Sequence, residues 1–160
     1  MFNLTGLLLI FISAFPSDSP QTCLTKSDAE KIFGATAQMV NSQTENKDNS
    51  TRYTCTWRDT GKDIKPGDTC NLWYVLDVYK DETAAKKIHA DIVQSNKNLQ
   101  GFTLLPTLGD EAFVHTDNTN FQLIMVRKAN RIMRIKVNKI TGRTSLEELK
   151  KVTGKIASTL

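Results

Sequence analysis

A chain of 160 residues, 39% hydrophobic and 24% charged, suits one domain with a sizeable core and excludes wholesale disorder. Its formal net charge of +4 is unevenly spread: from Phe121 to Leu160 ten Lys or Arg stand against only Glu147 and Glu148, a net of +8, while the preceding residues hold eleven basic and fifteen acidic side chains, a net of −4. Such asymmetry either draws an anionic partner through the summed field or marks separate solvated faces.

Leu4–Phe15, LTGLLLIFISAF, is apolar and uncharged. It is too short for a bilayer-spanning helix, which needs about 20 residues, and fits the apolar region of a secretory signal peptide. Ile12-Ser13-Ala14 offers small residues for cleavage after Ala14. Residues 1–14 are therefore read as a signal peptide, 15–23 as a flexible lead-in and 24–160 as a single domain. Cys23 is a conceivable lipid attachment point, and membrane association is expected only if it is acylated. The preceding Pro20-Gln21-Thr22 lacks the Leu-like residue that lipoprotein signals carry.

Thr25 opens a helix, with Leu24 and Ala29 placed as a staple and Gly34 as the C-terminal stop. The polar run 41–50, NSQTENKDNS, reads as a surface loop, and Asn49-Ser50-Thr51 matches a glycosylation acceptor. Arg52–Arg58 alternates as a strand with Tyr53, Cys55 and Trp57 inward. Asn71–Lys80 is a second strand, apolar on both faces. Pairing these two with Cys55 opposite Cys70 and Tyr53 opposite Leu72 points to a Cys55–Cys70 disulfide. Two reduced thiols, or a bridge through Cys23, are the alternatives. Closing a loop of about 15 residues contributes on the order of 3 kcal/mol. Asp81 caps a helix whose apolar side is Ala85, Ile88 and Ile92.

Gly109 permits a turn into the strand AFVHTD, and Asp110 reads as a turn residue bonding its own backbone. FQLIMVRKANRIMRIKVN, Phe121 to Asn138, is a hairpin turning at Ala129-Asn130. Lys128 then faces Arg131 and Val126 faces Met133. Ile124, Val126, Met133, Ile135 and Val137 share a uniformly apolar face. Phe121, Leu123, Met125, Arg127, Ile132, Arg134 and Lys136 share the other, which mixes apolar residues with cations. Thr144 or Ser145 caps a last helix, in which Leu146, Leu149, Val152, Ile156 and Leu160 recur at helical spacing. The chain thus reads αβ(2–3)αβ(3)α. The expected class is α+β, a mainly antiparallel sheet with helices on one face, and the shared order of strand, polar turn, cap and helix in its two halves suggests two degenerate repeats.

The opening LTKSDAEKIFG, the strand YTCTW, the turn PTLGDEAFV and the strand pair before a C-terminal helix resemble small bacterial extracytoplasmic domains. These are lipoproteins and receptor-kinase sensor domains in which a Leu-Gly-Asp-x-Ala turn follows the middle helix. The resemblance covers about residues 24–160. It implies a compact α+β domain outside the cytoplasm, generally without known enzymatic activity, and it assigns no catalytic residues.

Neither His89 nor His115 lies in a recognisable catalytic motif. His89 sits at the edge of a helix face, while His115 and Asp117 could share a site with Asp110 and Glu111. The sequence has no phosphate loop, dinucleotide fingerprint or zinc motif, so no cofactor or metal is expected. Phe121 is the only aromatic of the basic quarter, which speaks against nucleic acid. The expectation is a non-catalytic secreted or envelope-associated binding module. Its partner is an unknown protein or an anionic envelope component, met by Arg127, Arg134 and Lys136 with Phe121 and Met125. The alternative is an inhibitor or immunity-type protein that blocks a partner enzyme.

Overall fold

The computed structural model describes residues 22–62 and 69–160; the expected signal peptide lies outside them. Helix α1 (Lys26–Phe33) begins where Thr25 Oγ1 accepts from the Asp28 amide and the Asp28 carboxylate reaches back to the Thr25 backbone. It ends at Gly34, with φ 64°. A Cβ there would lie 2.7 Å from the Arg143 carbonyl oxygen, so both conformation and space require glycine. Strands β1 (Ala37–Lys47), β2 (Ser50–Asp59) and β3 (Asn71–Tyr79) form an antiparallel meander. Asp81 then caps helix α2 (Glu82–Asn96). A second meander follows: β4 (Phe102–Leu104), β5 (Glu111–Thr116), β6 (Phe121–Lys128) and β7 (Arg131–Asn138). Ser145 caps α3 (Leu146–Thr159).

Antiparallel pairing of β3 with β7 joins the meanders into one open seven-stranded sheet, ordered β1-β2-β3-β7-β6-β5-β4. The expected α+β class with an antiparallel sheet is what the chain adopts. One sheet face carries the main core: Leu72, Tyr74, Leu76, Ile124, Val126, Met133, Ile135 and Val137 pack against α1 and α3. The opposite face carries a smaller cluster, in which Ala85 of α2 meets Phe113, Met125 and Ile132. The helices therefore occupy both faces rather than one. This also limits the internal repeat, because the helices that follow β3 and β7 pack on opposite sides.

Two local readings change. Residues 41–47, expected as loop, belong to strand β1. That strand is polar because it lies at the sheet edge and its residues after Ala37 are exposed, while the ladder with β2 supplies its hydrogen bonds. On α2 the covered residues are Ala85 and His89, with Ile92 and Val93 half-buried, whereas Ile88 stays 38% exposed. The buried stripe is turned from the expected one, because it follows the contact with β5, β6 and β7 rather than hydrophobicity alone.

The Cys55–Cys70 disulfide is not formed. Cys55 is bridged to Cys23, and Cys70 is buried and reduced. Cys55 faces Tyr74, Tyr53 faces Leu76, and the amide of Asp59 donates to the carbonyl of Cys70. Alternation sets which face a side chain takes, and a slip of four residues preserves that face. Face reading therefore placed both thiols in the core correctly and misjudged their separation along the strands. The Cys70 thiol donates to the Asn138 carbonyl, and burial pushes its pKa up to about 12. The bridge indicates an oxidising, non-cytosolic environment. A thioether-linked lipid would need the same Cys23 sulfur, so bridge and acylation exclude each other. Among the described residues no helix is long and apolar enough to cross a membrane.

Urea unfolding of the oxidised protein against a Cys23→Ala variant is expected to show a loss of roughly 3–4 kcal/mol, for a loop closed across 32 residues of separation. A Cys70→Ala variant should leave Cys23 joined to Cys55 in a non-reducing peptide map.

Candidate binding face

On the face that α2 shares, cross-strand pairing lines residues up in rows. One row runs Glu45, Arg52, Asp77, Ile132, Arg127, Glu111 across β1, β2, β3, β7, β6 and β5. Each charged neighbour pair in it has opposite signs, the favourable cross-strand arrangement. The next rows hold Gln43, Thr54, Val75, Arg134 and Met125, then Thr56, Trp73, Lys136 and Leu123.

Asp77 is the anchor of the uncovered half. Its carboxylate is 1% exposed and binds two guanidinium groups. Arg52 donates from Nε to Oδ1 at 2.6 Å and from Nη2 to Oδ2 at 3.1 Å, a two-point fork. Arg134 Nη2 donates to the same Oδ2. The two arginines are thus fixed, with about a third of each side chain still exposed. Beside them Trp73, Val75 and Leu123 are half-buried. Together with Gln43, Glu45, Thr54 and Lys136 they line an open depression of about 580 Å³. Lys136 Nζ also stands 5.4 Å from the centre of the Phe121 ring, within cation–π range.

Of the residues expected to bind, Phe121, Arg134 and Lys136 lie on this open half. Arg127 and Met125 do not serve there. Met125 is 1% exposed beneath α2. The Arg127 side chain is 5% exposed and fully engaged, with Glu111 at 2.6 Å, Asp110 at 3.0 Å, Glu82 at 3.4 Å and the Ala129 carbonyl at 3.1 Å. This network explains the Leu-Gly-Asp turn. A Cβ on Gly109, φ 60°, would lie 2.6 Å from the Arg127 carbonyl oxygen. Asp110 does not bond its own backbone through its side chain: its carboxylate accepts from the Ala129 amide at 2.8 Å and from Arg127. The turn thereby fastens α2, β5 and the β6–β7 hairpin around one buried cation.

Other basic residues of the last quarter are also spent internally. Lys128 and Arg131 donate to carbonyls at the end of α3, Arg143 binds Asp59, and Lys155 binds Asp28. Sequence reading missed Arg52, Trp73 and Asp77 as site residues. Period-two alternation limits which face each can take, but which strands neighbour one another is not encoded locally. His115 stands edge-on to Phe121 at 5.0 Å. It is four residues along β5 from Glu111, about 13 Å. Asp117 accepts from the amides of Thr119, Asn120 and Phe121 in the β5–β6 turn. His115 and Asp117 therefore do not share a site with Asp110 and Glu111. Asn49 is exposed in the β1–β2 turn, its Oδ1 accepting from Lys80 Nζ. Among the described residues no group of three or more His, Cys, Asp or Glu is placed to hold a metal ion.

His89 is buried rather than at a boundary, 3% exposed. Burial lowers its pKa, opposed by the negative charge of Glu111. No protein-family model matches the chain, and no curated protein matches it either.

The folded state keeps His89 neutral to lower pH than the unfolded chain does, so it binds fewer protons. Its stabilising contribution is complete above the unfolded value of about 6.5 and is lost as pH falls towards the folded one. Urea midpoints should therefore fall more steeply between about pH 7 and pH 5 for the wild type than for His89→Phe.

Proposed function

We propose that the protein is a non-catalytic, secreted or envelope-associated binding module that takes a carboxylate-bearing ligand on the open face around Trp73. The observation that carries this reading is the clustering of Arg52, Arg134 and Lys136 about Trp73, Val75 and Leu123 in one depression. Asp77 offsets one of the three cations, and Glu45 at the rim has Lys47 within 3.6 Å, so positive charge remains for a ligand. Thr54 and Gln43 add hydrogen-bonding groups, and Trp73 adds a flat apolar surface for stacking. The Cys23–Cys55 bridge and the resemblance to bacterial extracytoplasmic domains both support a place outside the cytoplasm.

Titration with polygalacturonate, followed by tryptophan fluorescence, tests this. Binding should weaken steeply between about 20 and 300 mM salt. The double change Arg134→Glu with Lys136→Glu should weaken it by more than tenfold and also lower the urea midpoint, because Arg134 is a partner of the buried Asp77. Lys136→Glu alone, at an exposed position, should weaken binding severalfold with the urea midpoint near that of a control carrying Lys150→Glu. Equal affinity of the Lys136→Glu variant and the wild type would sink the reading. A one-to-one, salt-resistant complex with an enzyme through this face would instead support the inhibitor reading.

A further inference from the structure

Strand β1 ends the sheet on one side, so one of its two edges has no strand beside it. Which of its main-chain groups face that edge follows from the ladders. The Asp59 amide donates to the Cys70 carbonyl, and in an antiparallel pair successive residues bond to alternate sides. The odd-numbered residues of β2 therefore bond to β3 and the even-numbered ones to β1. The Thr60 amide, which donates to the Thr36 carbonyl, keeps the same parity. Through the register of β1 with β2, Asn41, Gln43, Glu45 and Lys47 bond inwards to Thr56, Thr54, Arg52 and Ser50. Ser42, Thr44 and Asn46 thus turn both N–H and C=O out of the sheet. Such a row is a template for another strand.

The usual defences of an edge are thin here. No proline interrupts β1, and its residues after Ala37 are all exposed. The irregularity between Met39 and Asn41 lies before the outward row and leaves it straight. Met39 and Val40, at that irregularity, are 41% and 42% exposed although both are large and hydrophobic.

The row is also self-complementary. Two copies meeting antiparallel about a two-fold axis must match outward residues with outward residues, and the whole set maps onto itself only about Thr44. Thr44 then faces Thr44 of the second copy and Ser42 faces Asn46, each pair exchanging two main-chain hydrogen bonds. Between them Gln43 falls opposite Glu45, and Asn41 opposite Lys47. No like charges face each other, and Thr–Thr is a favourable cross-strand pair. Gln43 Nε2 donates to Glu45 Oε1 of its own strand at 3.4 Å, so the two groups suit the exchange between copies. Beyond Asn41, Met39 and Val40 come to lie along the second copy's turn at Asp48-Asn49.

We propose that the chain forms a two-fold dimer through β1 in this register, with one continuous sheet running across the axis. Gln43 and Glu45 line the Trp73 depression, so the dimer sets the depressions of both copies on one face, on either side of the axis. The pairing rests on main-chain geometry and does not depend on what that depression binds.

Sedimentation equilibrium of the disulfide-bonded chain should show a mass rising from one chain towards two between about 5 μM and 1 mM, as suits a small interface. Thr44→Pro removes an outward N–H that β2 does not use. That variant should stay a monomer throughout, with the urea midpoint of dilute wild type. Thr44→Cys should give a disulfide-linked dimer on mild oxidation, because the paired Cα atoms lie about 5.5 Å apart. Ser42→Cys should not, because that position lies about 13 Å from its copy across the axis. If Thr44→Pro unfolds, the two cysteine variants decide. A wild type that is still a monomer at the highest concentration overturns the proposal. So does a folded Thr44→Pro variant that dimerises like the wild type, or cross-linking of Ser42→Cys as readily as of Thr44→Cys.

Discussion

The antiparallel pairing of β3 with β7 is the constraint on which the rest depends. Each meander by itself would present two unpaired edges and a half-covered apolar face. Joined through Leu72–Val137, Tyr74–Ile135 and Leu76–Met133, they bury one continuous apolar surface beneath α1 and α3. The same pairing sets Val75 beside Arg134 and Trp73 beside Lys136 on the other face. Core and candidate binding surface are thus two sides of a single register. A slip of one residue would exchange them.

Charge in this protein is mostly structural. Asp77 and Arg127 are both nearly inaccessible, and each gathers several partners of opposite sign. Burial of one charge among several charge-assisted hydrogen bonds fixes geometry more than it adds stability, because desolvation offsets much of the attraction. Arg127 locks α2, the Gly109 turn and the hairpin to one another. Asp77 holds two arginines upright on the open half of the face. The basic excess of the last quarter is therefore not a free patch, and much of it caps α3 or neutralises buried carboxylates.

Helix α2 divides its face in two. Under it lie Phe113, Met125 and Ile132; beyond it remain Trp73, Val75 and the bound arginines. At its other flank is a recess beside His89. The two depressions differ in kind: one is open and cationic, the other mainly apolar.

Much of this was legible in the chain. Period-two alternation placed every residue of the β6–β7 hairpin on its observed face and fixed its register, since the turn at Ala129-Asn130 is short. Caps at Thr25, Asp81 and Ser145 marked the helix starts, because orphan amides need local acceptors. What failed were relations between distant segments. The polar strand β1 had no hydrophobic signal, since its bonds come from a partner strand. The Cys55 partner depended on where Cys23, just before α1, comes to lie. By itself the sequence determined which side chains alternate, which ends are capped and that the class is α+β, because those follow from neighbours a few residues apart. Only the tertiary structure decided that Cys23 meets Cys55, that Arg127 is buried while Arg134 is not, and that Trp73 lies among cations. Those facts depend on strand order and on which face each helix covers, and neither is written in local periodicity.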